Sequence, residues 1–349
     1  MPAATYWVDH AGSATAPYDT QAKAATALQT VLDLAVAGDT IYCCDNGGTG
    51  EVTAATIDVD TQTGTNAAGW IKVIGCNSAG VVDGTRYYIN ANGGAYSVIT
   101  AAATADMYWF ENIEVGNTGV GAYHGFKGAA TCQGWVFIDC CAHNCGGTGW
   151  EADTTFSDTL WVRCVAYSNT ANGFGARGST CKFIFCAARD NTGSGFVGYY
   201  PVLFGCISHG NTDDGYSSAI SPLLINCVLD GNGDNGFDVT ALTLVIFSTL
   251  IGCRVTNHSG AGDIGVNCAS DPLVTGWCYF EDNDGDNIQN ATLHQFIPVE
   301  GGSTTTNLED LANTNEGYAE AVANNNFATG YTDSGDPDLR RVAITIPWS

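Results

Sequence analysis

The amino-acid sequence predicts an all-β fold, a parallel β-helix in which short strands coil around one axis. A Cys, an Asn and a Gly-aromatic pair recur together every 20 to 26 residues over residues 135–288. The stretches between them are rich in β-branched and aromatic residues and are bounded by Gly, Asn, Asp and Ser, which is typical of strands joined by tight turns. A self-similar period of this length indicates a solenoid whose repeats bury their apolar face only against their neighbours.

In such a stack each repeated position forms a column of like side chains. The cysteines are expected to form an interior column of small apolar side chains, made of Cys140, Cys164, Cys186, Cys206, Cys227, Cys253 and Cys278. The asparagines are expected to line a turn with left-handed backbone and to bridge to backbone groups, as Asn144, Asn169, Asn191, Asn211, Asn232, Asn257 and Asn283. The aromatics are expected to stack, as Trp150, Phe174, Phe196, Tyr216 and Phe237. Asn112 and Phe126 indicate that these columns begin one coil earlier.

The chain divides into three predicted segments. Residues 1–40 combine a strand with an amphipathic helix that begins at Asp19 or Thr20 and ends at Gly38, and this helix is expected to cap the N-terminal end of the stack. Residues 41–298 form the β-helix, with about 11 coils at the observed period. Residues 299–349 are polar and are expected to form a C-terminal cap or an oligomerisation tail.

The charge and the cysteines exclude several classes of protein. Lys and Arg total 11 against 36 Asp and Glu, a net charge of −25. Nucleic-acid binding and adhesion to an anionic membrane both need a basic face, so neither partner is expected. The 15 cysteines are predicted to be reduced, because most occupy the inward strand position. The alternative is an occasional disulfide among the neighbouring cysteines Cys43, Cys44, Cys140, Cys141 and Cys145.

A resemblance to a known family predicts that the β-helix is right-handed. The helix followed by AGDTIY, the repeating strand-Cys-x4-Asn-x3-Gly-aromatic coils and the segment GYTDSGDPDL together resemble the right-handed parallel β-helix proteins of the pectate-lyase-like superfamily. Within it, the chain is similar to β-helix virion and tailspike proteins encoded by tailed phages. The resemblance covers nearly the whole chain, but it leaves function open because this fold carries lyases, hydrolases, tailspikes, adhesins and inert structural proteins.

No catalytic motif can be matched in the sequence. A pectate-lyase-like site needs calcium-binding carboxylates with an Arg or Lys base, and the basic residues of the repeat region lie in no such motif. A polygalacturonase-like site needs paired acids and an Arg-x-Lys, which the chain lacks. If the protein is an enzyme, the candidate acids are those at turn positions of successive coils, Asp213, Asp214, Asp234 and Asp238. The alternative is that they are solvated turn residues.

A calcium site is the one cofactor considered. Asp282, Asp284 and Asp286 lie in the segment DNDGDN, which resembles a calcium loop. Its glycine falls at the fourth place and no glutamate closes it, unlike the usual pattern. No other cofactor is expected.

The repeated columns are nearly complete, and no catalytic motif can be matched. Together these observations favour a non-enzymatic virion surface protein of a tailed phage, either a capsid decoration or a small spike or fibre. Many relatives are trimers, so a homotrimer in contact with other virion proteins is expected. The first alternative is a polysaccharide depolymerase, a lyase or glycoside hydrolase; the second is an adhesin that binds a host surface glycan.

Residues 1–10 lack the basic and apolar regions of a signal peptide, so folding in the host cytoplasm and a location on the virion surface are expected.

Overall fold

The computed structural model describes residues 3–44, 50–59, 63–65, 67–101, 105–128, 131–152, 157–178, 180–199, 201–220, 222–239, 248–258, 264–268, 272–276, 278–281, 283, 288–289, 292–296 and 300–301. The predicted C-terminal segment, apart from residues 300–301, and the candidate calcium ligands Asp282, Asp284 and Asp286 lie outside these residues.

Each coil contributes one strand in turn to three sheets, here named A, B and C, with 12, 11 and 10 strands in the described residues. Neighbouring strands are parallel and in register, as through the central coils. The chain is therefore a right-handed parallel β-helix, as predicted. Sheet A consists of Thr5–Val8, Thr40–Cys44, Ile71–Cys76, Tyr108–Glu111, Val136–Ile138, Leu160–Val162, Lys182–Ile184, Val202–Phe204, Leu223–Ile225, Ser248–Ile251, Pro272–Gly276 and Thr292–Phe296.

Sheet B consists of Glu51–Val52, Tyr87–Gly94, Ile113–Thr118, Cys141–His143, Val165–Tyr167, Ala187–Arg189, Ile207–His209, Val228–Asp230, Arg254–Thr256, Tyr279–Glu281 and Glu300–Gly301. Sheet C consists of Ile57–Val59, Ile99–Ala101, Phe126–Gly128, Trp150–Ala152, Phe174–Ala176, Phe196–Tyr199, Tyr216–Ile220, Phe237–Val239, Val266–Asn267 and Ile288–Gln289. The middle residue of a typical three-residue strand in sheets A and B points into the core, and its two neighbours point outward.

The N-terminal region contains two short helices where the sequence predicts one. A 3-10 turn spans Gln21–Lys23 and an α-helix spans Leu28–Leu32. Between them the backbone is extended, because Ala25 N donates to Trp7 O at 3.0 Å and Asp9 N donates to Ala25 O at 2.8 Å. Pairing with the first strand thus replaces helix at this point. No helix in the described part of the chain is long and apolar enough to cross a lipid bilayer.

The seven repeated cysteines are all buried and lie directly after the corner that joins sheet A to sheet B. Their thiols approach backbone carbonyls of the preceding coil, as Cys164 Sγ lies 3.4 Å from Phe137 O and Cys206 Sγ lies 3.4 Å from Phe183 O. All 15 cysteines are buried. Burial raises the pKa of the Cys140 and Cys164 thiols, so these two thiols remain protonated at neutral pH.

A ladder of buried asparagines lines the turn from sheet B to sheet C. The Oδ1 atom of Asn211 accepts from both the backbone N and the Nδ2 of Asn191, at 3.1 and 2.8 Å. Asn211 Nδ2 donates to Asn232 Oδ1 at 2.9 Å and to Ala188 O at 3.3 Å. Asn169 and Asn191 are joined in the same way. Each amide therefore binds the next coil and the preceding one.

Two residues assigned to this ladder from the sequence lie one position before it. Asn144 and Asn257 are exposed and have φ of 51° and 61°, while the adjacent Cys145 and His258 hold the buried ladder position and donate their backbone N to Asn169 and Asn283. The left-handed residue is the one before the ladder, as at Ser168, Asp190, Gly210 and Gly231. The prediction that the ladder asparagines themselves adopt this conformation was wrong, because their side chains must point inward to reach the next coil.

Asn112 also lies outside the ladder. It has φ of 53° and occupies the corner between sheets A and B, equivalent to Asp139, Arg163 and Asn226. The predicted aromatic column runs along the inner face of sheet C. Its ring centroids are 4.1 Å apart for Phe126 and Trp150, 5.9 Å for Trp150 and Phe174, 4.9 Å for Phe174 and Phe196, and 5.3 Å for Tyr216 and Phe237.

Candidate functional site

The outward face of sheet B carries a group of aromatic and ionisable side chains that we name the sheet B site. Alternation along the strands buries Ala142, Ala166 and Ala188 and turns their neighbours outward. Among these neighbours His143 is covered by the surrounding side chains and is only 6% exposed. Register between coils then brings together residues that are far apart in the chain. The members of the sheet B site are Arg86, Tyr88, Glu114, His143, Tyr167 and Arg189.

The rings of the sheet B site form a continuous stack. His143 lies between Tyr88 and Tyr167, with ring centroids 5.5 and 4.9 Å apart and interplanar angles of 27° and 6°. The guanidinium of Arg189 lies over Tyr167, 4.5 Å from the ring centroid, a cation–π contact. Gly116 makes room for the imidazole, since a Cβ at this glycine would lie 2.9 Å from His143 Cε1 and 2.5 Å from His143 O.

Hydrogen bonds fix the tautomer of His143. Its Nδ1 lies 3.1 Å from Asn144 Nδ2, and its Nε2 lies 3.0 Å from Glu114 Oε1. An amide nitrogen can only donate, so Nδ1 accepts and Nε2 carries the proton that it donates to Glu114. This bond holds the pKa of Glu114 below its ordinary value despite burial. The imidazole is thus oriented by an ionised carboxylate, the arrangement of an activated base.

Arg86 and Tyr88 complete the surroundings of Glu114. Arg86 Nη1 lies 3.9 Å from Glu114 Oε2, and Arg86 Nε donates to Asp139 O at 2.7 Å. Asn117 Nδ2 donates to Tyr88 Oη at 2.7 Å, which leaves the phenolic proton available as a donor. Burial, followed by the charge of Glu114, raises the pKa of Tyr88 to about 12. Tyr88 therefore stays protonated at neutral pH and can act as an acid.

The basic residues concentrate on this side of the rod. Four of the 11 in the chain, Arg86, Arg163, Arg189 and Arg254, lie on sheet B, at its edge or at the corner before it. Arg163 is held by Asp139 through bonds of 2.8 and 2.6 Å. Arg86, Arg163 and Arg189 are each paired with a carboxylate, that of Glu114, Asp139 and Asp190 respectively.

The predicted acids form a second group, the acidic turn cluster, made of Asp213, Asp214, Asp234 and Asp238. A carboxylate oxygen from each of Asp213, Asp214 and Asp234 lies within 4.8 Å of the others. Asp214 Oδ1 accepts from Asn235 N and Nδ2 at 3.1 and 3.2 Å. Burial, and then the neighbouring carboxylates, raise the pKa of Asp214 to about 7.

Asp238 lies beside this turn on sheet C, in Phe237–Val239. Its Oδ1 accepts from Asn267 Nδ2 at 2.8 Å, and burial is the main reason why its pKa rises to about 6. The turn carboxylates are closer together than the roughly 5 to 9.5 Å that separates the acids of glycosidases. Oxygens at this spacing suit a shared proton or a hard cation such as Ca²⁺, so the turn acids fit a hydrolase poorly.

Sequence reasoning missed the sheet B site because its members share no motif. His143 and Glu114 are 29 residues apart. The residues at the same positions in other coils are of different types, so neither residue belongs to a repeated pattern. The available signal was the outward strand positions flanking Ala142, Ala166 and Ala188, which carry aromatic or charged residues only in a few consecutive coils. Reading that signal requires the register of the coils.

The comparisons with known proteins identify the fold. No family model matches the chain, and no curated protein matches it. Among solved structures it is similar to pectate lyase Pel9A, with 17% identity over 82% of this chain and 78% of that chain and a TM-score of 0.60. It is also similar to a rhamnogalacturonan lyase, with 16% identity over 81% and 75% of the two chains and a TM-score of 0.53. The chain therefore has the right-handed parallel β-helix fold of pectate lyase Pel9A.

Proposed function

We propose that the protein is a polysaccharide lyase that binds a uronic-acid-containing polysaccharide along sheet B and cleaves it by β-elimination. The observation that carries the proposal is His143, oriented by Glu114 and stacked between two tyrosines beside Arg86 and Arg189. The two similar structures are lyases by name, which agrees with this class of reaction. This proposal ranks the depolymerase alternative above the virion role. It assigns the reaction to residues of sheet B instead of Asp213, Asp214, Asp234 and Asp238.

Substrate binding follows from the cations and the rings. A guanidinium can hold a uronate carboxylate through two parallel hydrogen bonds. Arg189 is half exposed on the same face as Tyr167, and a substrate carboxylate would replace or join Asp190, which lies 3.0 Å from its Nη1. Tyrosine rings offer apolar faces against which sugar rings pack. Neutralising the carboxylate acidifies the proton on the adjacent carbon, which is the proton that elimination removes.

The elimination needs one base and one acid. His143 Nδ1 takes the proton from the carbon next to the carboxylate, once the substrate displaces the exposed Asn144 amide. The released electron pair forms a double bond to the next ring carbon, and the glycosidic carbon–oxygen bond on that carbon breaks. Tyr88 donates its proton to the leaving oxygen. Glu114 stabilises the imidazolium, the role of the third member in a triad.

The test is turnover of a panel of polyuronates, followed by ultraviolet absorbance of the unsaturated product. We expect the wild type to release unsaturated uronates and His143→Gln to lose about 100-fold or more of the rate, the usual contribution of a general base. The matched control is His209→Gln, on the same outward column of sheet B, which should keep its rate. Absence of unsaturated product from every polyuronate, or full activity of His143→Gln, would refute the proposal.

The virion-surface role remains the second candidate. The asparagine ladder and the stacked aromatic pairs of sheet C favour a rigid rod, which suits a capsid decoration or small spike. Electron microscopy of particles from the source material tests it, since ordered copies on a capsid or tail are expected. An adhesin would retain polyuronate on sheet B without releasing product, so the same panel distinguishes it from a lyase.

A further inference from the structure

We infer that two copies of this chain associate through the outward face of sheet A, independently of the chemistry proposed for sheet B. This surface, named apolar face A, consists of the outward residues Tyr42, Ile74, Trp109, Val136, Ile138, Leu160, Val162, Ile184, Val202, Phe204, Leu223, Ile225 and Ile251. Most are half-buried, and Phe204 is 38% exposed.

The other two faces differ in chemistry. Sheet B presents the charged and aromatic residues of the sheet B site, and sheet C presents polar residues such as Lys127, Glu151 and Asp238. On sheet A, the outward positions from Val136 to Ile251 include one charged residue, Lys182. A contiguous apolar surface of this kind marks an interaction site.

The corner beside apolar face A carries a further exposed aromatic ring. Phe185 has φ of 55° at the corner where Asp139, Arg163 and Asn226 are also left-handed. Its ring is 56% exposed and meets Phe204 edge to face at 5.5 Å. The Phe185 ring therefore extends the exposed apolar surface beyond the strands of sheet A.

The size of the surface fits a dimer. Nine strands of sheet A, from Thr40–Cys44 to Ser248–Ile251, span about 40 Å at the usual strand spacing. Two outward columns and the corner column are about 17 Å wide, which gives on the order of 700 Å² per copy. A stable interface buries about 800 Å² on each partner, so this face is close to sufficient.

The occupant is a second copy because of charge and symmetry. Copies with a net charge of −25 repel one another over most of their surface, and the part of apolar face A from Val136 to Ile251 presents no acidic side chain. The stripe carries one charge, on Lys182, and one hydroxyl, on Thr249, so it has few groups with which to select a polar partner such as a glycan. Two identical stripes complement one another about a two-fold axis.

Sedimentation equilibrium of the full chain tests the inference. We expect a dimer at micromolar concentration, and we expect Phe204→Lys to raise the dimer dissociation constant by about 100-fold, because it places a charge at the centre of the buried surface. The matched control is Val197→Lys, which adds the same charge to the half-buried outward face of sheet C and should leave the dimer intact.

The outcomes separate cleanly. A wild type that stays monomeric at high micromolar concentration overturns the inference, as does a dimer that Phe204→Lys leaves unchanged. A trimer, the state expected from the sequence, overturns the two-fold pairing. If Phe204→Lys fails to fold, Phe185→Ser replaces it, since a small polar residue suits the left-handed corner and still removes the exposed ring. Polyuronate turnover in a monomeric variant tests the lyase proposal separately.

Discussion

Replacing Asp214 with asparagine should stabilise the protein in a strongly pH-dependent way. The carboxyl of Asp214 is 6% exposed and lies among the other carboxylates of the acidic turn cluster. Its pKa is about 7 in the folded protein against an ordinary value of 3.8. Asparagine keeps the Oδ1 acceptor for the two hydrogen bonds from Asn235, so the substitution removes the charge and little else.

The sign follows from proton binding. Between about pH 4 and pH 7 the folded state holds a proton on Asp214 that the unfolded chain has lost, so the free energy of unfolding falls as the pH rises. Above about pH 7 the folded state has also lost this proton, and the free energy of unfolding falls no further. A shift of about three units corresponds to about 4 kcal/mol. Asp214→Asn should therefore raise the free energy of unfolding by up to about 4 kcal/mol at pH 8 and by almost nothing at pH 4.

Urea unfolding followed by tryptophan fluorescence measures the free energy of unfolding at pH 4 and at pH 8. A chelator is present to remove divalent cations. The control is Asp33→Asn, which removes one exposed carboxylate and should change stability by less than about 0.5 kcal/mol at either pH. An equal effect of Asp214→Asn at pH 4 and pH 8 would show that the buried charge does not cause it. Destabilisation at pH 8 would show that the carboxylate is held by a favourable partner.

Two further predictions concern the sheet B site and the asparagine ladder. Gly116→Ala should reduce polyuronate turnover by about 100-fold, because its Cβ would displace the His143 imidazole; unchanged turnover would mean that the position of this ring is not needed. Asn211→Ala should lower the free energy of unfolding by about 3 kcal/mol or more, because it leaves buried groups in two neighbouring coils unpaired. In urea unfolding Asn257→Gly, which keeps the left-handed backbone of this exposed position, should cost less than about 1 kcal/mol, and equal costs would contradict the buried-ladder argument.

The repeat made the fold predictable because a stacked coil must place like residues at like positions. Cys164, Cys186 and Cys206 are buried at every repeat, and the rings of Phe174 and Phe196 stack, since each coil offers the same space to the next one. The one-residue error at Asn144 and Asn257 arose because adjacent residues of a turn are equally polar. Only the hydrogen bonds to the next coil distinguish the inward residue from the left-handed one before it.

The sequence by itself determined the solenoid, its buried columns and the acids of the B to C turn, because these features repeat or cluster along the chain. The tertiary structure alone decided which outward residues meet. Glu114, His143 and Tyr167 come from three separate coils, and the apolar residues of sheet A form one surface only when their strands lie side by side. Outward positions are free of the packing that imposes the repeat, so they carry no period, and their proximity depends on the register between coils.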